Sequence, residues 1–219
     1  MAVFTGPINT PDGTIDLAAT TTTRRDRLGA SVVTQLHGRF YETASRGNVY
    51  VGSSASTGIA LIAPATGGGH PTLWNPSGSG VNLSVLRVTL GYVSGNNAPT
   101  TIEWASTLNT GPTIVAVTGP IITFTAVNPT SGVLGGNIQN KGSWAPTVNT
   151  FVAAPVFYRT SGLSLFTGVA ATAVAPFQLE ARYEGDHIIG PGTAASLCTQ
   201  AATTTSLFQV TVVWEEIPV

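Results

Sequence analysis

Eleven residues, "RYEGDHIIGPG" at positions 182–192, crowd carboxylates and an imidazole, side chains that could do acid–base or metal chemistry, into a chain that otherwise avoids charge. With Glu180 just upstream, Arg182, Glu184, Asp186 and His187 place three carboxylates, a guanidinium and an imidazole within eight positions. Glu184, Asp186 and His187 together resemble a ligand set for a divalent cation, which takes oxygen and imidazole donors. Alternation along a strand supplies a plainer account. Glu180, Arg182, Glu184 and Asp186 alternate with Leu179, Ala181 and Tyr183, so an extended chain projects all four charges from one face. A row of carboxylate, arginine and carboxylate supports itself on an exposed or intersubunit face and discourages edge pairing. No second ligand cluster exists, and the other histidines, His37 and His70, stand in unrelated contexts. The ion-pair row is therefore preferred, with no metal, cofactor or catalytic residue assigned.

Other chemistry is absent by motif. There is no G-x-S-x-G elbow, no Gly-Lys-Ser/Thr phosphate loop, no paired-cysteine motif and no H-E-x-x-H. The triple glycine 67–69 before His70 follows no strand-to-helix pattern, so it reads as a loop rather than a phosphate cradle. The acids Glu180 and Glu184 are a weak basis for a depolymerase, and no enzymatic activity is expected. Trp74 in "TLWNPSG" and Trp144 in "KGSWAPT" have turn-like surroundings. There they serve as plugs over the end of a core or, as a rival, as flat platforms for a sugar ring.

The elements that must position these residues are strands. Gly (25), Pro (14) and 33 Thr punctuate the 219 residues, and short alternating runs lie between turn clusters such as "NPSGSG" and "NPTSG". Leu86, Val88, Leu90 and Tyr92 share one face, as do Ile102 with Trp104 and Ile122 with Phe124. Phe208, Val210, Val212 and Trp214 do the same near the C-terminus. Trp104 and Trp214 are expected in a core or an interface. Runs of this length and spacing predict an all-β protein, a jelly-roll-like antiparallel β-sandwich over residues 47–219. Residues 1–46 differ: "TPDGTIDLAATTTTRRDR" is polar and turn-rich and reads as an extended N-terminal arm or docking segment.

Charge placement separates the same two parts. Only 9% of residues are charged, against about a quarter in an ordinary domain. Nine of the nineteen charges fall in residues 1–46, and only Arg87, Glu103, Lys141 and Arg159 in residues 47–179. Net charge is −1 with nine basic residues, so no basic stripe exists to neutralise a nucleic-acid backbone. Gly, Pro and Thr interrupt the uncharged stretches too often for a membrane helix, and no signal peptide is evident, so a soluble chain is expected. The lone Cys198 excludes an intrachain disulfide. A β body this poor in charge calls for a partner or for copies of itself. Arg24, Arg25 and Arg27 of the arm, with Glu180, Arg182, Glu184 and Asp186, are the expected contact residues, since arginine suits ion pairs between subunits.

Three phrases carry a resemblance: "HGRFYETASRGNVYVGSS", "TLWNPSGSGVNLSVLRVTLGYVSG" and "IIGPGTAASLCTQAATTTSLFQVTVVWEEIPV". Over residues 37–219 the chain resembles tailed-bacteriophage virion structural proteins of the jelly-roll decoration or cement type. The closing stretch is also similar in architecture to the trimeric jelly rolls of the tumour-necrosis-factor and complement kind. That resemblance implies a non-enzymatic homotrimer on the capsid surface, with the major capsid protein or other virion proteins as partners and no nucleic acid or membrane. The alternative it leaves is a tail- or fibre-associated β-sandwich that binds a receptor or glycan.

Overall fold

The computed structural model describes residues 8–9, 15–16, 40, 43–44, 47–68, 70–95, 100–106, 142–146, 149–151, 153–165, 178–200 and 206–219. The chain divides into two units, residues 1–41 and 42–219. In the first, β1 (Ile8–Asn9) and β2 (Ile15–Asp16) pair antiparallel. Apart from these two strands, the expected arm before Phe40, with Arg24, Arg25 and Arg27, lies outside the described residues, as do Ile122 and Phe124.

The second unit contains β3 (Val49–Ser53), β4 (Ile59–Ala60), β5 (Gly67–Gly68), β6 (Thr72–Asn75), β7 (Val81–Ser94), β8 (Thr100–Ser106) and β9 (Ser143–Ala145). It continues with β10 (Asn149–Thr150), β11 (Val156–Leu165), β12 (Gln178–Arg182), β13 (Ile188–Ile189), β14 (Thr193–Thr199) and β15 (Leu207–Pro218). One sheet runs β12-β7-β15-β3, with β13 added to β7 and β4 to β15; the other runs β11-β8-β14-β6-β9. Every pairing is antiparallel. Take β3, β6, β7, β8, β11, β12, β14 and β15 as first to eighth. The first sheet then reads first, eighth, third, sixth, and the second reads second, seventh, fourth, fifth. That is the order of two interlocked Greek keys, a jelly roll.

Alternation produces the core. Tyr50, Val88, Leu90, Phe208, Val210, Val212 and Trp214 face inward from one sheet; Leu73, Ile102, Trp104, Leu163, Leu165, Ala195 and Leu197 face them from the other. Each large apolar side chain buried here contributes about 1.5–3 kcal/mol relative to exposure. The strand β7 changes phase midway. Trp214 pairs with Val85 and Val213 with Arg87, so Leu86 is an extra residue in a bulge. Val81, Leu83 and Val85 point inward before the bulge, and Val88 and Leu90 after it. The sequence reading captured only the second phase.

Trp74 and Trp144 are not in turns: they lie on β6 and β9, where Trp74 pairs with Ser143 and Trp144 with Leu73. Trp144 is buried inside, above Gly52 of β3, where a side chain would collide with the indole. This closes one open side of the sandwich, between its edge strands β3 and β9. Trp74 lies on the opposite face of its sheet, partly buried against Phe151 and Ala194.

Candidate functional site

The other open side, between edge strands β11 and β12, gathers the polar chemistry. The strand β12 ends at Arg182, and Gly185 at φ +94° turns the chain. The expected row of four charges therefore does not form on one strand. Glu180 and Arg182 remain neighbours on β12, where the Arg182 guanidinium donates to the Glu180 carboxylate and Arg87 of β7 stands 4.0 Å away. That hydrogen bond holds the Glu180 carboxyl below its usual range. Glu184 is exposed on the turn. Asp186 crosses to the other sheet, where its carboxylate accepts from Arg159 of β11 at 2.9 Å and its backbone carbonyl from the same side chain at 3.2 Å. The bond from Arg159 lowers the Asp186 carboxyl.

His187, to which the preferred reading gave no role, lies in the interior. It is 2% exposed, a core residue and not a surface ligand. Its ring packs against Trp104 at 4.7 Å and Tyr183 at 5.0 Å between centroids. Its Nε2 is 2.6 Å from the Tyr158 hydroxyl, while Nδ1 has no hydrogen-bond partner among the described residues. A buried acceptor left alone is better tolerated than a buried N–H, which assigns the proton to Nε2 and makes it the donor to Tyr158. Burial first, then the Arg159 charge, pushes the imidazole down to about 4, with Asp186 opposing. The neighbouring bonds complete a sheet-to-sheet bolt. Trp104 Nε1 donates to Tyr183 Oη at 2.6 Å, and Tyr183 Oη donates to the Ser161 carbonyl at 3.2 Å. The Ser161 hydroxyl donates to the Ile102 carbonyl at 2.6 Å, and Arg159 lies 5.0 Å above the Tyr183 ring.

With Asp186 engaged by Arg159 and His187 by Tyr158, these two groups face different partners, an arrangement suited to bolting strands rather than to gripping an ion. Tyr158 is a participant that sequence reasoning missed. Its signal was present in "VFYR", where three bulky side chains precede an arginine without the usual polar alternation. Near the bolt four large side chains remain exposed: Val156 is 51% exposed, Phe157 39%, Tyr158 43% and Ile188 53%.

A second buried pair lies on the outward face of the β11-β8-β14-β6-β9 sheet. Cys198 Sγ of β14 is 3.4 Å from His70 Nδ1, and His70 Nε2 is 3.2 Å from the Ala65 carbonyl. Burial pushes the Cys198 thiol up to about 12 and lowers the His70 imidazole, so neither carries the charge a thiolate–imidazolium nucleophile needs. Through His70 the pair ties Ala65 to β14. Folded protein should therefore resist a disulfide-exchange thiol reagent at pH 8, with Cys198 titrating only after denaturant is added. One thiol per chain reacting at once in native buffer would contradict this assignment.

Comparison with known proteins returns no matching family model, no similar curated protein and no similar solved structure.

Proposed function

We propose that this chain is a non-enzymatic structural protein of a tailed-phage virion, a homotrimeric decoration or cement protein that stabilises the capsid. One observation carries the reading. A jelly-roll body with four charges between residues 47 and 179 leaves four large side chains, Val156, Phe157, Tyr158 and Ile188, partly exposed on neighbouring segments. The charges beside them, Arg87, Arg159 and Arg182 with Glu180 and Asp186, are already paired with one another. Such a surface repels a second copy of itself weakly and gains from covering its apolar centre. Three copies closing a ring would repeat one heterologous contact three times, and a trimer over a local threefold of a shell would multiply each weak shell contact likewise. Binding only the assembled shell then stabilises it by mass action. Arg24, Arg25 and Arg27 would supply further contacts to the major capsid protein or a neighbouring trimer.

Sedimentation at micromolar concentration should give three times the 22.4 kDa chain mass. The double substitution Phe157→Asp, Ile188→Asp should give folded monomers that no longer protect decoration-free capsids from heat. A wild-type monomer in solution, with no trimer on purified particles, would overturn the reading. A tail- or fibre-associated glycan-binding role is the second reading. It moves from the tryptophans, since Trp144 is buried, to the exposed rings of Phe157 and Tyr158 beside Asp186. Glycan-array binding lost on Tyr158→Ala, with the trimer intact, would favour it.

A further inference from the structure

We propose that the seam between β11 and residues 183–189 is an acid-opened latch, in which protonation of the His187 imidazole releases residues 156–160 while the two sheets stay folded. This inference does not rest on the virion reading.

The geometry isolates the seam. Among the described residues, three side-chain pairs join residues 156–160 to the opposite sheet's segment: Tyr158 with His187, Arg159 with Asp186, and Arg159 over the Tyr183 ring. Val156, Phe157 and Tyr158 keep 51%, 39% and 43% exposure, so burial holds this half less firmly than the fully covered core. Two register shifts, between Phe157 and Arg159 and between Thr160 and Leu163, interrupt the pairing of this half with β8. Beyond them the strand is anchored differently. Leu163 and Leu165 are buried in the core, and Ser161 is bonded to Ile102. Local opening is drawn from segments with few buried contacts, which describes the first half of β11 and not the second.

The groups that face His187 decide what protonation does. From β11 come the Tyr158 hydroxyl and the Arg159 guanidinium. From its own segment come Tyr183 and the Asp186 carboxylate, with Glu184 exposed on the turn. From β8 comes the Trp104 indole, and from β7 only the Val85 amide, which donates to the His187 carbonyl at 2.9 Å. A second ring proton would sit on Nδ1, buried with no acceptor, beside the Arg159 charge. Asp186 offsets part of this, but it is 63% exposed at the side chain and already bonded to Arg159. Opening the seam hydrates the ring and removes both penalties.

The direction follows from proton binding. His187 titrates near 4 when the latch is closed and near the ordinary 6.5 when it is open. The open form thus binds more protons between those values, and closure is fully favoured above 6.5 and lost as pH falls toward 4. One unit is tenfold, so by pH 4 the opening constant should rise roughly a hundredfold. Asp186, held below 3.8 by Arg159, titrates outside this window.

Hydrogen exchange on the full chain, expressed as protection factors corrected for intrinsic rate, reads the outcome. Between pH 6.5 and 4 protection at residues 156–160 should drop by about a hundredfold, with that of β14 and β15 retained. In His187→Gln, which keeps a donor to Tyr158 but cannot titrate, the drop should vanish. Should that variant fold poorly, the wild-type His187 ring followed by NMR gives an independent arm: ring titration and loss of β11 protection should share one midpoint. Protection at 156–160 that survives His187 protonation, or that is lost together with β14 and β15, would overturn the latch.

Discussion

Trp104→Ala should lower folding stability by about 4–5 kcal/mol, read as a drop in the urea midpoint at unchanged slope. Trp104 is fully buried on β8 between the two sheets, so truncating it leaves an indole-sized void with partners on every side. The packing loss alone for such a truncation is about 3–5 kcal/mol. The polar consequence adds to it. Tyr183 Oη loses the donor it has at 2.6 Å, and His187 loses the ring packed 4.7 Å away. With the whole fold worth about 5–15 kcal/mol, the variant should be near the edge of folding at 37 °C. Trp104→Phe should retain part of the packing but strip the Tyr183 hydroxyl of its donor, costing about 2 kcal/mol. A loss under about 1.5 kcal/mol for the alanine variant would show that the two sheets do not depend on this ring.

Gly52→Ala should be nearly as damaging, at about 3 kcal/mol, although it adds a single methyl. A Cβ at Gly52 would lie 2.5 Å from Trp144 Cγ and 2.8 Å from Trp144 Cβ. Those atoms are at the root of the side chain, so no rotation of the indole clears them, and β3 would have to separate from β9. The control is Gly91 on β7, whose nearest neighbour to an added Cβ is the Gln209 carbonyl oxygen at 3.9 Å. There Gly91→Ala should be neutral or stabilising by up to about 1 kcal/mol, since alanine loses less backbone entropy in a strand. Trp144→Leu should relieve Gly52→Ala, and a double-mutant cycle should return a coupling above about 1 kcal/mol. Equal effects at Gly52 and Gly91 would mean that the indole is not seated above β3.

The sequence by itself determined the layer class and most of the core, because period-two alternation is local. Phe208, Val210, Val212 and Trp214 show their shared face within seven residues, and that face is buried. Ile102 and Trp104 needed only three. Turn residues between such runs then left a sandwich as the economical way to cover one face of each strand. What only the tertiary structure decided depends on chain segments far apart. The bulge at Leu86 appears in no local pattern, because it exists only against Val213 and Trp214 on β15. Trp144 sat in a turn-like sequence and entered the interior because Gly52, ninety-two positions away, leaves a space no other residue would. The charged stretch at 180–187 read as one row because strand alternation was extended past Arg182. Closure of the jelly roll instead brought Tyr158 and Arg159 opposite Asp186 and His187, and the imidazole was drawn inward by the rings of Trp104 and Tyr183. Burial of a polar group is settled by the partners that reach it, and those partners are set by strand order, which no short window of sequence contains.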